Sequence, residues 1–337
     1  MFVESVTELN PAQSSEFPSW LSPLLAKDES FIKENERLIR CERSVSMQQQ
    51  QTKETFGFKW NKRDTFESPQ SLNRMRQWLV ERYDDANKIL NSFENKPVLL
   101  DAGCGAGLSA LEYWGSHCDK LNYLGVDISS AVDVCQQRFM ERGLNNAVFL
   151  QADIANLPVN AASVDIIFSE GVMHHTDNTE QTFMSLAKLL KPKGYFMYYV
   201  YNQKGPIREF VDDYLRDKLQ AMTPIQGWDA LMPLTRLGKT LGELNLDIEI
   251  EESIDLLDIP AGKINLQRLF YWHVFKAFYH EDLTLDEMNH INYDWYAPKN
   301  AHRHSISEVE QWCQNASLSI ERQVIEPAGI TIIARKS

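Results

Sequence analysis

The feature that most constrains this chain is the run Val98-Leu99-Leu100-Asp101-Ala102-Gly103-Cys104-Gly105-Ala106-Gly107. A short apolar segment ends in a carboxylate and a glycine-rich loop, and residues 108–114 can start a helix directly after it. Glycines turn a chain sharply and let its backbone approach a ligand where a Cβ would clash. The run therefore predicts a strand, a ligand-cradling loop and a helix. The same alternation continues, with strands predicted over 123–126, 147–150, 164–169 and 195–201 and helices over 131–142 and 179–190. Strands alternating with helices call for right-handed crossovers and a mostly parallel sheet covered on both faces. The predicted fold class is α/β, a doubly wound Rossmann-like sheet.

At the C-terminal end, residues 305–316 read as a helix and 318–325 and 329–334 as strands. Only Glu326, Pro327 and Ala328 join those strands, too short a link for a parallel crossover, so they should form an antiparallel hairpin. Four regions follow: an N-terminal arm over 1–70, a core over 71–202, a mainly helical insertion or acceptor lid over 203–304, and a closing helix and hairpin over 305–337. The arm carries prolines 11, 18 and 23 and the tract 48–51, and is expected to be irregular and partly helical. Its aromatics Phe56, Phe58 and Trp60 have little reason to exist on a polar arm unless they pack onto the main domain. A helix is predicted over 72–90.

Lys and Arg number 34 against 47 Asp and Glu, a net charge of −13, so a phosphate backbone would meet repulsion and nucleic acid is not expected as a partner. Five cysteines without a CxxC pair read as reduced thiols. Residues 1–10 show no basic-then-apolar leader and no long apolar run follows, so a cytoplasmic protein without membrane attachment is expected.

Asp127 closes the second strand about 20 residues beyond the glycine loop, where a carboxylate can hold ribose hydroxyls. Asp153 follows the third strand and can meet an adenine amino group. NAD is disfavoured by the GxGxG spacing, with Leu108 where a third glycine belongs, and by the closing hairpin.

The ordered runs VLLDAGCGAG, GVDIS, FLQADIANLP, VDIIFSEGVMHH and LLKPKGY resemble the class I S-adenosylmethionine-dependent methyltransferases of the small-molecule, type 11-like group. The resemblance covers about residues 97–201 and the terminal hairpin. It implies a seven-stranded sheet with the last strand antiparallel, S-adenosyl-L-methionine as cofactor and S-adenosyl-L-homocysteine as product. It implies that Asp101, Gly103, Gly105 and Gly107 line the methionine moiety, that Asp127 with Ile128 holds the ribose, and that Asp153 with Ile154 frames the adenine. Ser169 and Glu170 would sit beside the sulfonium, and Phe56 and Trp60 of the arm join the expected cofactor contacts. The runs FGFKW, PIREFVDDYLRDKL and INYDWYAPKNAHRH resemble, less specifically, bacterial methyltransferases of glycan or other small-metabolite biosynthesis.

His174 and His175 follow the fourth strand on the ligand-binding edge, and imidazole is suited to removing a proton near neutral pH. Either is a candidate base; capping or core packing is the competing reading. Arg208 lies one helical turn from Asp212, as an ion pair or as a clamp for an anionic substrate group. Tyr201, Tyr293, Trp295, Tyr296, His302 and Arg303 complete the expected acceptor contacts, with 290–304 read as loop-like. His290, Asp294, His302 and His304 match no zinc spacing, so no metal is expected. The run 269–279 is aromatic on all sides and must bury against the core or a second subunit. The expected function is methyl transfer to a small polar metabolite, at oxygen, such as a sugar or other biosynthetic intermediate. Methylation of protein or RNA, and a noncatalytic cofactor-binding scaffold dimerised through the aromatic run, are the alternatives.

Overall fold

The computed structural model describes residues 17–27, 29–35, 37–41 and 43–337. The reading of residues 1–10, and Pro11, lie outside the described residues. The arm contributes β1 (Ile32–Lys33), β2 (Leu38–Arg40) and α1 (Met47–Trp60), and α2 (Pro69–Tyr83) and α3 (Ala86–Leu90) lead into the core. The core runs β3 (Val98–Ala102), α4 (Leu108–Tyr113), β4 (Asn122–Asp127), α5 (Ala131–Glu141), β5 (Ala147–Gln151), β6 (Val164–Glu170), α6 (Thr179–Ala187) and β7 (Leu190–Tyr201). The insertion holds α7 (Pro206–Leu219), α8 (Pro224–Glu243), β8 (Asp247–Ile250), β9 (Gly262–Asn265), α9 (Leu266–His273) and α10 (Leu285–Tyr296). It is followed by α11 (Ile306–Asn315), β10 (Leu318–Ile325) and β11 (Gly329–Lys336).

The main sheet has nine strands in the order β1-β2-β5-β4-β3-β6-β7-β11-β10. From β2 to β7 neighbouring strands are parallel, and β11 runs antiparallel to both β7 and β10. Alternation along the strands builds a core on each face: Leu100, Val126 and Ile167 on one, Leu99, Ile166 and Phe168 on the other. Successive strands step away from β3 in opposite directions, which opens a crevice at the carboxyl ends of β3, β4 and β6, where ligands of such sheets bind.

Three local expectations are corrected. The arm adds two strands to the seven expected, because Leu38 and Ile39 bury on opposite faces beside β5, a pattern too short to read in a three-residue strand. The helix expected over 72–90 is broken at Asp84, whose φ is +63°, and restarts where the Asp85 side chain accepts from Asn87 N. Residues up to Tyr296 of the segment read as loop-like are helical, started by a capping box in which Thr284 and Glu287 satisfy each other's backbone N–H.

Candidate active site

A cavity of about 510 Å³ opens over the carboxyl ends of the strands and extends under the insertion. The glycine loop forms one end. Gly103 and Cys104 N–H groups both donate to Val126 O at 2.8 Å, folding the loop against β4. Gly105 N donates to Asp127 Oδ2 at 2.9 Å, while Asp127 Oδ1 accepts from Ser129 N (2.8 Å) and Oγ (2.6 Å). Gly103 (φ +94°) has no room for a side chain, since a Cβ would lie 2.1 Å from Val172 Cγ1. At Gly105 (φ +49°) a Cβ would meet Trp60 Nε1 at 2.9 Å, so the arm's indole rests on the loop itself.

Around this cradle stand carboxylates that burial makes reluctant to ionise. Asp101 accepts from Tyr123 Oη at 2.6 Å, and burial still pushes it up to about 7. Burial also raises Asp127 and Asp153, the latter accepting from Ala155 N at 3.0 Å. Ile128 and Ile154 add apolar surface. Adenosylmethionine, a cation carrying two ribose hydroxyls and a flat base, fits these groups: a loop with no space for side chains and desolvated carboxylates facing a deep cleft. Asp127 would hold the ribose, Asp153 with Ile154 the adenine edge, and Asp101 the methionine end.

The other end is made by the arm and insertion. Lys59 of α1 is 3% exposed and ion-paired to Asp294 of α10, whose Oδ2 also accepts from Tyr201 Oη of β7 at 3.2 Å. Burial alone would raise the Asp294 carboxyl, but Lys59, His175 and Lys276 hold it well below the usual carboxylate range. Arm, sheet and insertion thus meet on one carboxylate.

His175 lines the cavity and is 3% exposed. Its Nδ1 lies 2.6 Å from Asn300 O. A carbonyl only accepts, so Nδ1 carries the proton and Nε2 the lone pair. Nε2 is buried without a hydrogen-bond partner, and burial pushes the imidazole down to about 4, leaving it neutral at physiological pH.

Several predicted residues fall elsewhere. His174 is fully buried behind the cavity, stacked on Tyr201 with ring centroids 3.6 Å apart, which removes it as a base. Ser169 Oγ donates to Ala102 O at 2.9 Å inside the sheet, and Gly107 packs on Cys135 and Phe139, so neither lines the cavity. Glu170 lines it but is engaged by Arg82 and Tyr83. Tyr293 packs between Phe58 and Trp228, and Tyr296 Oη accepts from Lys276 N at 2.7 Å, both in the insertion's own core. Arg303 pairs with Glu209 and Asp213, and His302 lies 3.0 Å from Thr176 O, in a separate surface groove. With His302 and His304 in that groove and His290 and Asp294 in the cavity, the four do not converge on a metal. Phe56, Trp60, Tyr201, Arg208 and Trp295 do line the cavity. The aromatic run at 269–279 turns Tyr271, Trp272 and Phe278 toward the same space.

Lys59, Arg74, Lys204, Arg268 and Lys276 were not singled out as site residues from sequence, and Asp294 was weighed only as a metal ligand, although all six line the cavity. A signal existed for some. Thr284-Leu285-Asp286-Glu287 announces a helix, and on it His290, Ile291, Asp294 and Trp295 share one face at i, i+1, i+4 and i+5.

Residues 100–198 match the family model described as a methyltransferase domain. Over 135 residues the chain is 30% identical to the tRNA (carboxymethyluridine(34)-5-O)-methyltransferase ALKBH8 of Mus musculus, covering 39% of this chain and 18% of that protein. Over 174 residues it is 28% identical to the uncharacterized methyltransferase YcgJ of Bacillus subtilis (strain 168), covering 49% and 67%. A solved structure of magnesium protoporphyrin IX methyltransferase (ChlM) from Synechocystis PCC 6803 with bound SAM is 13% identical, with a TM-score of 0.45 over 88% of this chain and 100% of that one. The chain spans well under two thirds of the length of several curated relatives it matches.

Proposed function

We propose that this chain, whose core is a class I S-adenosylmethionine-dependent methyltransferase domain, transfers the methyl group to an oxygen of a small polar metabolite. S-adenosyl-L-methionine is the cofactor, and it supplies a methyl carbon already activated on a sulfonium. The single observation that carries the acceptor reading is the deep cavity of about 510 Å³ running from the glycine loop to an aromatic wall of the insertion. That volume lies within the range of small-molecule sites.

The protein's own work is alignment, exclusion of water and removal of one proton. Trp60 covers the glycine loop, Phe56 packs edge-on against the His175 ring with centroids 4.9 Å apart, and Tyr201, Tyr271 and Trp295 wall the acceptor side. His175 Nε2, neutral and unpartnered, takes the proton that an acceptor hydroxyl loses as its oxygen gains the methyl carbon. The Asn300 carbonyl fixes the ring's tautomer and orientation. A cytoplasmic setting is part of the reading, supported by five cysteines that are all free thiols. No helix among the described residues is long and apolar enough to cross a membrane. The partner we propose is a small molecule and not nucleic acid, in keeping with the net charge of −13.

Calorimetric titration with S-adenosylhomocysteine tests the cofactor half. Binding that Asp127→Ala weakens on the order of 100-fold is expected, from the loss of charge-assisted hydrogen bonds. Equal binding by both proteins would sink the ribose assignment. Transfer of labelled methyl to hydroxylated metabolites then tests the acceptor half.

A further inference from the structure

The acceptor half of the cavity is basic in a chain that is acidic overall. Between residues 246 and 294 there are eleven Asp and Glu and only three cations, Lys263, Arg268 and Lys276, yet Arg268 and Lys276 both line the cavity. Lys204, Arg208 and Lys276 lie 5.3, 5.6 and 4.7 Å from the centroid of the Trp295 ring. Arg208 and Arg268 lie 5.9 and 5.5 Å from that of Tyr271, so Arg208 joins two neighbouring ring-and-cation groups. Arg74 enters from α2, 5.1 Å from the Phe278 centroid, with its Nε buried and without a hydrogen-bond partner.

The carboxylates nearby are already engaged. Asp212 holds Arg208 and the Trp295 indole N–H (2.8 Å), Asp294 holds Lys59 and Tyr201, and Glu326 holds Arg82. Among the described residues Arg74, Lys204, Arg268 and Lys276 therefore have no carboxylate within ion-pair distance. Lys204 Nζ donates only to the Asn202 and Ala328 carbonyls, and Asp212 and Asp294 act on Lys204 and Lys276 from beyond contact distance while engaged elsewhere. Gathering like charges in a partly desolvated space with so few counterions is unfavourable unless a ligand supplies further negative charge. The strain registers on the groups themselves: burial pushes Lys204 and Lys276 down to about 7, and burial with neighbouring Arg268 lowers Arg74.

We infer that the acceptor carries an oxyanion, a phosphate or a carboxylate, held by Arg74, Arg268, Lys276 and Lys204 against the Trp295 and Tyr271 rings. This rests on the methyl-transfer reading for the word acceptor, and on the insertion's geometry alone for the anion site. Guanidinium forks suit either group by paired N–H···O bonds, and flat rings beside them suit a sugar or other ring carrying that group.

The test is calorimetric, on the full chain, with pyrophosphate and malonate as separate probes at fixed ionic strength, each titrated with and without saturating S-adenosylhomocysteine. One saturable site for at least one probe is expected, weakened tenfold or more in Arg268→Gln and in Arg74→Gln. Affinity of both variants for S-adenosylhomocysteine should stay within twofold of the parent, which separates a lost site from a lost fold. Binding of pyrophosphate alone assigns a phosphate, of malonate alone a carboxylate, and of both supports the shared oxyanion chemistry. No saturable binding of either probe, or unchanged affinity in both variants, overturns the inference. If the parent fails to bind S-adenosylhomocysteine, the methyl-transfer reading falls, and the titrations without it still decide the anion site.

Discussion

The two ends of the cavity are built on opposite electrostatic plans. At the sheet edge the lining carboxylates are Asp101, Asp127, Asp153 and Glu170, all raised by burial, with Arg82 paired to Glu170; under the insertion the lining cations Arg74, Lys204, Arg208, Arg268 and Lys276 outnumber the carboxylates Glu287 and Asp294. A cationic cofactor is complementary to the first and an anionic acceptor to the second. On the proposed reading, the difference means that the protein sorts its two ligands by sign as well as by shape, which suppresses binding of either one in the wrong half.

The largest expected break in this arrangement comes where the two ends meet. His175→Ala should lower turnover by roughly 10²–10⁴-fold, the usual yield of a positioned base, while S-adenosylhomocysteine affinity stays within twofold. Steady-state rates with labelled cofactor check it, and full activity would remove the proton-transfer role. Lys59→Met should cost about 3 kcal/mol of stability in a denaturant titration, because it strands Asp294 with its buried positive partner gone. The figure sits at the lower end for broken buried pairs, since the Asp294 side chain is 30% exposed toward the cavity.

A smaller effect is expected at the cofactor end alone. Gly105→Ala forces a side chain onto a residue at φ +49° and against the Trp60 indole, for a cost of about 1–3 kcal/mol. Thermal melts and cofactor titration should both register it, with pyrophosphate or malonate affinity little changed. The smallest effect is also the sharpest discriminator: the two ends should respond to pH in opposite directions. Asp101, pushed up to about 7, is ionised only above that pH, so S-adenosylmethionine affinity should be full at pH 8 and fall by up to about tenfold per unit below 7. Lys204 and Lys276, pushed down to about 7, are charged only below it, so anion affinity should be full at pH 6 and fall as pH rises. Titrations at three pH values decide it, and parallel trends would contradict the division by sign.

The same division explains what could be read without a structure. The sheet-edge half is written in contiguous runs, since one loop and the ends of adjacent parallel strands supply it; the glycine cradle and the Asp127 carboxylate follow from strand periodicity and spacing, and the family resemblance adds the roles of Asp101, Gly103 and Gly105. The insertion half draws single residues from α2, α7 and α9 and one face of α10; the α10 face has a local helical pattern, but the meeting of these distant segments has none. His174 and His175 were indistinguishable neighbours in the chain. Only the Asn300 carbonyl on one ring and the Tyr201 stack on the other tell them apart. The strands of the arm were illegible because three residues beside an existing edge need almost no propensity of their own.

The indole of Trp60 lying on the glycine loop bears on the order of events in a catalytic cycle. The residue before it, Lys59, is fastened to Asp294 in the insertion, so lifting the arm off the loop also unfastens the wall that grips the acceptor. On the proposed reading, uncovering the cofactor and loosening the acceptor wall are therefore one event, because consecutive residues of α1 hold both.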